Sequence, residues 1–162
     1  MHLDVPDPRP RYALDIAKES SRVLAVEGDR IPRGDRVRIL LADDDPQVRA
    51  ITTRILRRQS WEVVTAADGQ EAVDAWPDDG EPFDLVILDV NMPEMNGYEA
   101  FRALQRLHPE ARILFISGYA EVPNWRQLVE EGGQPFLAKP FSPRQLVEVV
   151  RSLIGESNGE AV

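Results

Sequence analysis

The sequence contains no cysteine, which limits the chemistry available to the protein. Without thiols there are no disulfides, no thiolate metal ligands and no cysteine nucleophile. The sequence also lacks an apolar run of the roughly 18 residues that a membrane-spanning helix needs. Its start, MHLDVPDPRP, has neither the charged beginning nor the apolar stretch of a signal peptide. We therefore expect a cytoplasmic protein without a membrane partner.

Basic residues are too few to balance the acidic ones. The chain of 162 residues has 28 acidic and 19 basic side chains, which gives a formal net charge of −9. The excess lies entirely in residues 37–162, because residues 1–36 hold seven side chains of each sign. Proteins bind nucleic acids mainly through cationic contacts with phosphates. We therefore expect no nucleic-acid partner.

From residue 37 onward, short apolar runs alternate with helical patterns. Such runs are typical of parallel strands that are buried on both faces of a sheet. We predict five strands, at residues 37–42, 61–66, 83–89, 112–117 and 135–139. A helical pattern covers residues 122–129, and four other helices are predicted to begin after Asp45, Asp68, Asn96 and Ser142. After the last three of these residues, a Glu or Gln stands at the spacing of a capping box.

Apolar stripes on three helices predict which of their faces are buried. In the first helix the stripe is Val48, Ile51 and Ile55, with Thr52 and Leu56 beside it. The corresponding residues of the third and last helices are Phe101, Leu104 and Leu107, and Leu146, Val149, Val150 and Leu153. We expect each stripe to pack against the sheet.

Five strands that alternate with five helices predict an α/β fold with one open parallel sheet. Because crossovers between parallel strands are right-handed, the helices cover both faces and the domain is doubly wound in three layers. We predict a flexible extension or linker at residues 1–36, a folded domain at residues 37–154 and a disordered tail at residues 155–162. Only nine residues follow Leu153, so we expect no output domain in this chain.

Polar side chains stand where four of the five predicted strands end. Ligands of such folds bind at the carboxyl ends of the strands. Three carboxylates brought together there repel one another, so they need a cation, and oxygen ligands favour Mg²⁺. The residues concerned are Asp43, Asp44, Asp89, Ser117 and Lys139. Together they are typical of a phosphoryl-transfer site with an aspartate nucleophile, in which the serine and the lysine hold anionic oxygens.

Each of these residues also has a simpler interpretation. Asp45 precedes Pro46 and is a typical helix N-cap, so we leave it out of the metal site. Ser117 can be an ordinary loop residue, and Lys139 an ordinary surface lysine, although arginines outnumber lysines 17 to 2 in this chain. For Asp89 the simpler interpretation is weak, because an unpaired charge on a buried strand is costly.

Four segments together resemble the motifs of the receiver domains of two-component response regulators: ILLADDDPQVR, VILDVNMPEMNGYE, ILFISGYA and FLAKPFSP. The resemblance covers residues 37–154. It implies a flavodoxin-like (βα)5 fold with the strand order 2-1-3-4-5. It also implies a signalling switch rather than an enzyme with its own substrate, one that catalyses its own phosphorylation and dephosphorylation.

The resemblance assigns a role to each site residue. Asp89 is the phosphoacceptor, and Asp43, Asp44 and the backbone carbonyl of Asn91 hold Mg²⁺ with it. Ser117 and Lys139 contact the phosphoryl group, and Phe136 is the aromatic switch residue where tyrosine is common in the family. The Lys139–Pro140 peptide bond, often cis in the family, follows the fifth strand. Asn91 and Tyr119 occupy positions that tune dephosphorylation, and we predict that Tyr119 shields the acyl phosphate from water.

The resemblance also implies partners. The phosphoryl donor is the phosphohistidine of a histidine kinase or of a histidine phosphotransfer protein. Phosphorylation changes the surface formed by the fourth helix, fifth strand and fifth helix, and a downstream protein or a second copy of the chain binds there.

Three alternatives remain open from the sequence. SGYAE and FLAKPFSPRQLVEVVRSLI are also similar to the C-terminal receivers of hybrid sensor histidine kinases. A second alternative is an interaction domain that keeps the fold but is not phosphorylated. A third is a hydrolase of the haloacid-dehalogenase class, whose motif carries a second aspartate after the first strand, whereas Asp89 is followed by Val90 and Asn91 on the third strand.

Overall fold

The computed structural model describes residues 36–78, 81–118 and 133–155. Five strands in these ranges form one sheet in the order β2-β1-β3-β4-β5, and every neighbouring pair is parallel. The strands are β1 Arg38–Ala42, β2 Glu62–Ala66, β3 Leu85–Asp89, β4 Ile113–Ser117 and β5 Phe136–Ala138. The predicted order and direction of the strands are confirmed, and each strand begins one or two residues later than predicted.

Four helices connect or follow the described strands. They are α1 Pro46–Arg57, α2 Gly69–Asp74, α3 Gly97–Leu107 and α4 Pro143–Ile154. Helix α4 is the fifth helix of the sequence prediction, because the predicted helix at residues 122–129 lies outside the described residues. The predicted extension lies outside them up to residue 35, and so does the predicted tail after residue 155. No helix in the described ranges is long and apolar enough to cross a bilayer.

Side-chain caps fix where the helices begin. Asn96 and Ser142 form the predicted capping boxes, in which the cap and the third helical residue each bond the other's backbone N–H. Asp68 forms only half of its predicted box. Its carboxylate accepts the Glu71 N–H at 2.8 Å, but the Glu71 carboxylate accepts the Ala67 N–H instead. The glutamate therefore bonds the chain one residue before the cap.

The two faces of the sheet carry separate hydrophobic clusters, because successive strand residues point to opposite faces. One cluster joins the sheet to α2 and α3, and its members include Leu40, Val86, Leu88, Phe101, Leu104 and Phe115. The other joins the sheet to α1 and α4, and its members include Ile39, Leu41, Ile87, Leu56, Leu146 and Val150. Each fully buried aliphatic side chain contributes about 1.5–3 kcal/mol by leaving water. The three-layer arrangement is confirmed.

Two residues predicted to face the core are exposed. Ile51 is 58% exposed and Leu107 is 61% exposed. Helical residues turn by about 100° each, so Leu107, six positions after Phe101, has drifted about 120° from it around the helix. In α1 the buried residues are Thr52, Thr53 and Leu56, and Ile51 lies on the opposite side. The prediction for α1 therefore fails at Ile51, whereas Thr52 and Leu56 of the predicted face are buried and Ile55 packs against the core.

Candidate functional site

Three of the predicted polar residues meet at the carboxyl edge of the sheet. Asp43 follows β1, Asp89 ends the neighbouring strand β3, and Lys139 follows β5. The Lys139 Nζ lies 3.1 Å from Asp43 Oδ2 and 3.0 Å from Asp89 Oδ2. Strand β4 separates β5 from β3, and both β3 and β4 separate β5 from β1, so the long lysine side chain extends across the end of β4 to reach both carboxylates.

Asp44 completes a cluster of three carboxylates. One oxygen from each of Asp43, Asp44 and Asp89 lies within 4.8 Å of the other two. Asp43 and Asp89 are buried, whereas Asp44 is exposed. Like charges at this separation repel by about 3–4 kcal/mol per pair at an effective dielectric constant near 20. Repulsion among the three carboxylates therefore destabilises the cluster unless cations balance their charge.

Backbone N–H groups hold the two buried carboxylates in place. Asp43 Oδ1 accepts the Asp45 N–H at 2.9 Å, and Asp89 Oδ1 accepts the Asn91 N–H at 3.1 Å. The Asp45 carboxylate points elsewhere and accepts the N–H groups of the second and third residues of α1. Its prediction as a helix cap is confirmed, and so is its separation from the acid cluster.

The surroundings of Asp89 and Lys139 shift their proton affinities. Burial raises the pKa of Asp89 to about 6; the hydrogen bond from Lys139 opposes this rise, and the negative charge of Asp43 adds to it. Burial lowers the pKa of Lys139, but its hydrogen bonds and attraction to Asp89 and Asp43 outweigh burial and raise that pKa above its usual value. The lysine is therefore a firmly protonated cation between two buried acids.

The donor set fits a hard divalent cation. Three ionised carboxylates against one ammonium leave an excess of two negative charges in the cluster. All the donor atoms are oxygens, and Mg²⁺ is commonly bound through a few carboxylates while it keeps several waters. The exposed side of Asp44 leaves room for such waters. Asp43, Asp44 and Asp89 are the residues that would hold the ion.

The remaining predicted residues lie around this cluster. Ser117 ends β4 with no exposed surface, and its hydroxyl is 3.4 Å from the Gly118 carbonyl oxygen. Asn91 is exposed in the loop after β3. Phe136 begins β5 and is 5% exposed within the cluster that joins the sheet to α2 and α3. The Lys139–Pro140 bond is cis, as predicted. Tyr119 lies outside the described residues.

The structure adds contacts that the sequence analysis did not identify. Arg49 of α1 donates from Nη1 to the Asp43 backbone carbonyl at 2.6 Å. A Cβ on Gly97 would lie 2.2 Å from the Asp89 carbonyl oxygen, and a Cβ on Gly69 would lie 2.4 Å from the Met95 carbonyl oxygen. Gly97 stands directly after the cap Asn96 in the motif MNGYE, which was the available signal for it.

Sequence comparisons identify relatives of this chain. The family model described as the response regulator receiver domain matches residues 39–151. The sensor kinase CckA of Brucella abortus is 38% identical over 116 residues, which are 72% of this chain and 12% of that protein. The transcriptional regulatory protein CpxR of Escherichia coli is 33% identical over 121 residues, which are 75% of this chain and 50% of that protein. The chain thus spans half or less of the length of these curated relatives.

Solved structures give a matching result. The chemotaxis protein CheY4 of Vibrio cholerae superposes with a TM-score of 0.64 at 30% identity, over 73% of this chain and 98% of the other. The receiver domain of the hybrid histidine kinase CckA superposes with a TM-score of 0.60 at 32% identity, over 72% of this chain and 98% of the other. The family model covers well over half of the sequence. The chain belongs to the response regulator receiver domain family.

Proposed function

We propose that this protein is a phosphoryl-accepting switch of a two-component signalling pathway and that Asp89 is the acceptor. The observation that carries the proposal is the Lys139 bridge, in which one ammonium lies 3.1 Å from Asp43 and 3.0 Å from Asp89 at the carboxyl edge of the sheet. A buried carboxylate that faces a fixed cation and two further acids is suited to receive a phosphoryl group beside a divalent ion.

The donor in this proposal is a phosphohistidine of a histidine kinase or a histidine phosphotransfer protein. An Asp89 carboxylate oxygen attacks the phosphorus in line, the new O–P bond forms, and the P–N bond breaks with its electron pair on the histidine nitrogen. Mg²⁺, when bound, supplies positive charge to the phosphoryl oxygens. Asp89 Oδ1 accepts a hydrogen bond from the Asn91 N–H. The nucleophile is therefore Oδ2, which accepts a hydrogen bond from Lys139 in the unphosphorylated protein.

Phosphorylation changes what the surrounding side chains bind. The acylated Asp89 loses its carboxylate charge and gains a phosphoryl group with a charge of about −1.5 to −2, so Lys139 turns its N–H donors toward the phosphoryl oxygens. The Ser117 hydroxyl, at the end of the next strand, donates to the same group. Phe136 is already buried in the core. We propose that its repacking changes the surface near β5 and α4, where a downstream partner or a second copy binds.

Labelling with radioactive acetyl phosphate tests the acceptor. We expect label on the wild type with Mg²⁺ and its release by hydroxylamine, which cleaves acyl phosphates. EDTA and the Asp89→Asn substitution should each abolish it. Asp84→Asn is a matched control, because Asp84 lies just before the same strand at the opposite edge of the sheet, and this variant should label like the wild type.

Other labelling results would contradict the proposal. If Asp89→Asn took up as much label as the wild type, a residue other than Asp89 would be the acceptor. A folded wild type that takes no label from acetyl phosphate or from a phosphorylated kinase would favour a phosphorylation-independent interaction domain. Steady release of phosphate from small phosphate esters, with many turnovers per protein molecule, would favour the hydrolase interpretation.

The similarity to CckA in both comparisons favours a second interpretation. In this interpretation the domain is the receiver of a hybrid histidine kinase and passes its phosphoryl group to a histidine phosphotransfer protein. A chase experiment separates the two. Label on Asp89 that moves onto an added histidine phosphotransfer protein supports a relay receiver, whereas label that is lost only to water supports a terminal switch.

A further inference from the structure

Arg49 lies in the first turn of α1 and reaches back to the acid cluster. Its Nη1 donates to the Asp43 backbone carbonyl at 2.6 Å, and its side chain is half-buried. Asp43 is thus bound by two cations with different targets. Lys139 binds its carboxylate, whereas Arg49 binds its backbone.

The position of this bond follows from where the β1–β2 ladder ends. The Asp43 N–H donates to the Ala66 carbonyl at 3.2 Å, which continues the ladder by one bond. In a parallel ladder the Asp43 carbonyl would next accept the N–H of residue 68. That residue is Asp68, the N-cap of α2, where the chain has already left the strand. The Arg49 guanidinium therefore occupies the place of the missing backbone donor.

The carbonyl that Arg49 holds belongs to the peptide that joins Asp43 to Asp44. The Asp43 carboxylate has its own partners in the Asp45 N–H and Lys139. In the described part of the chain, no hydrogen bond involves the exposed Asp44 carboxylate. The direction of Asp44 therefore depends on the orientation of this peptide. We propose that Arg49 is a positioning residue that fixes the Asp43–Asp44 peptide and so sets the affinity of the acid pair for Mg²⁺.

This inference rests on the proposed Mg²⁺ site. Whether Mg²⁺ binding becomes weaker or stronger when the Arg49 charge is removed distinguishes a positioning role from a purely electrostatic one. Removing a cation beside the cluster would by itself strengthen Mg²⁺ binding through electrostatics. Loss of positioning weakens it, and substitutions of residues that orient metal ligands typically cost 10–100-fold in affinity. Weaker binding in a variant without the Arg49 charge is therefore a result that only positioning explains.

The test measures the Mg²⁺ dissociation constant of the unphosphorylated full chain by isothermal titration calorimetry. We expect Arg49→Met to raise that constant by about tenfold. Arg49→Lys, which keeps one charged donor, should recover part of the loss. Arg54→Met removes an exposed arginine from the same helix and should leave the constant unchanged. Circular dichroism verifies the fold, and a faster-exchanging Asp45 amide in Arg49→Met would report the loosened turn.

The outcomes separate this inference from the proposed function. Arg49→Met that binds Mg²⁺ as tightly as the wild type, or more tightly, would overturn the inference, as would a wild type that binds no Mg²⁺. Tight binding by the wild type with the expected loss in Arg49→Met supports the inference even if no label reaches Asp89. If Asp89 is labelled, the variant should reach the wild-type extent of labelling at saturating Mg²⁺.

Discussion

Asp89 is the residue at which burial and charge conflict most directly. Its side chain is 5% exposed, and burial raises its pKa to about 6 from an ordinary value of 3.8. The folded state therefore binds a proton more readily than the unfolded state. The contribution of Asp89 to folding is least favourable above pH 6, where its buried carboxylate is ionised, and the penalty disappears as the pH falls from 6 toward 4.

This conflict predicts that Asp89→Asn stabilises the metal-free protein. In EDTA at pH 7–8 we expect the variant to exceed the wild type in unfolding free energy, by up to about 3 kcal/mol at 1.4 kcal/mol per pKa unit. The difference should shrink as the pH falls toward 4. Urea unfolding at several pH values measures it, with Asp78→Asn as a control at an exposed acid. A difference that does not change with pH would contradict the raised pKa.

Single residues of the site differed in how well the sequence predicted them. Asp43, Asp89 and Lys139 could be placed together because parallel strands bring their carboxyl ends to one edge. The Arg49 contact could not, because its acceptor is a backbone carbonyl and any residue type supplies one. The side-chain bonds of the helix caps to the backbone were predictable because they recur at a fixed spacing of residue types. The Arg49 bond to a carbonyl in the preceding loop has no such recurring pattern.

The sequence predicted the positions of the strands and helices well, but it predicted less well which helix residues are buried against the sheet. The apolar runs gave the strands to within two residues, because strands buried on both faces contain few polar residues. In α1 the prediction was wrong for Ile51, which is exposed, and it missed Thr53, which is buried. A threonine can lie on either surface, so the helix position relative to the sheet decides which stripe is covered.

The start of α2 and the loop after β3 contact each other closely. The Gly69 N–H donates to the Met95 carbonyl at 3.0 Å. A Cβ at residue 69 would lie 2.4 Å from that oxygen and 3.0 Å from the Met95 Cγ. Because both atoms belong to the loop that carries Asn91, a side chain at residue 69 would displace the loop beside the acid cluster.

We therefore predict that Gly69→Ala destabilises the protein by about 1–3 kcal/mol, the usual cost of forcing extra volume into a packed site. Helix propensity alone predicts the opposite, since alanine is favoured over glycine by up to about 1 kcal/mol within a helix. Urea unfolding measures the change, and Gln70→Ala at the next, exposed position is the control. A variant as stable as the wild type would mean that the loop moves aside at little cost.

The charge of the whole molecule complicates any test of the acid cluster. The formal net charge is −9, all of it in residues 37–162. Added salt of any kind therefore weakens repulsion across the domain. The predicted domain limits stay predictions, although Val37 and Ile154 are the outermost described residues packed against the core. A specific divalent site must be recognised against this general screening.

The last prediction separates the two effects. A ligand that binds only the folded state stabilises it by about 2.7 kcal/mol at 100 times its dissociation constant. We expect Mg²⁺ to raise the melting temperature of the wild type by more than KCl does at equal ionic strength. Asp44→Asn removes one exposed carboxylate of the cluster and leaves the buried pair intact. Its Mg²⁺ shift should fall close to the KCl shift. A site that binds through three carboxylates discriminates between Mg²⁺ and K⁺. Equal shifts of the wild-type melting temperature with both salts would therefore show that Mg²⁺ acts only by screening.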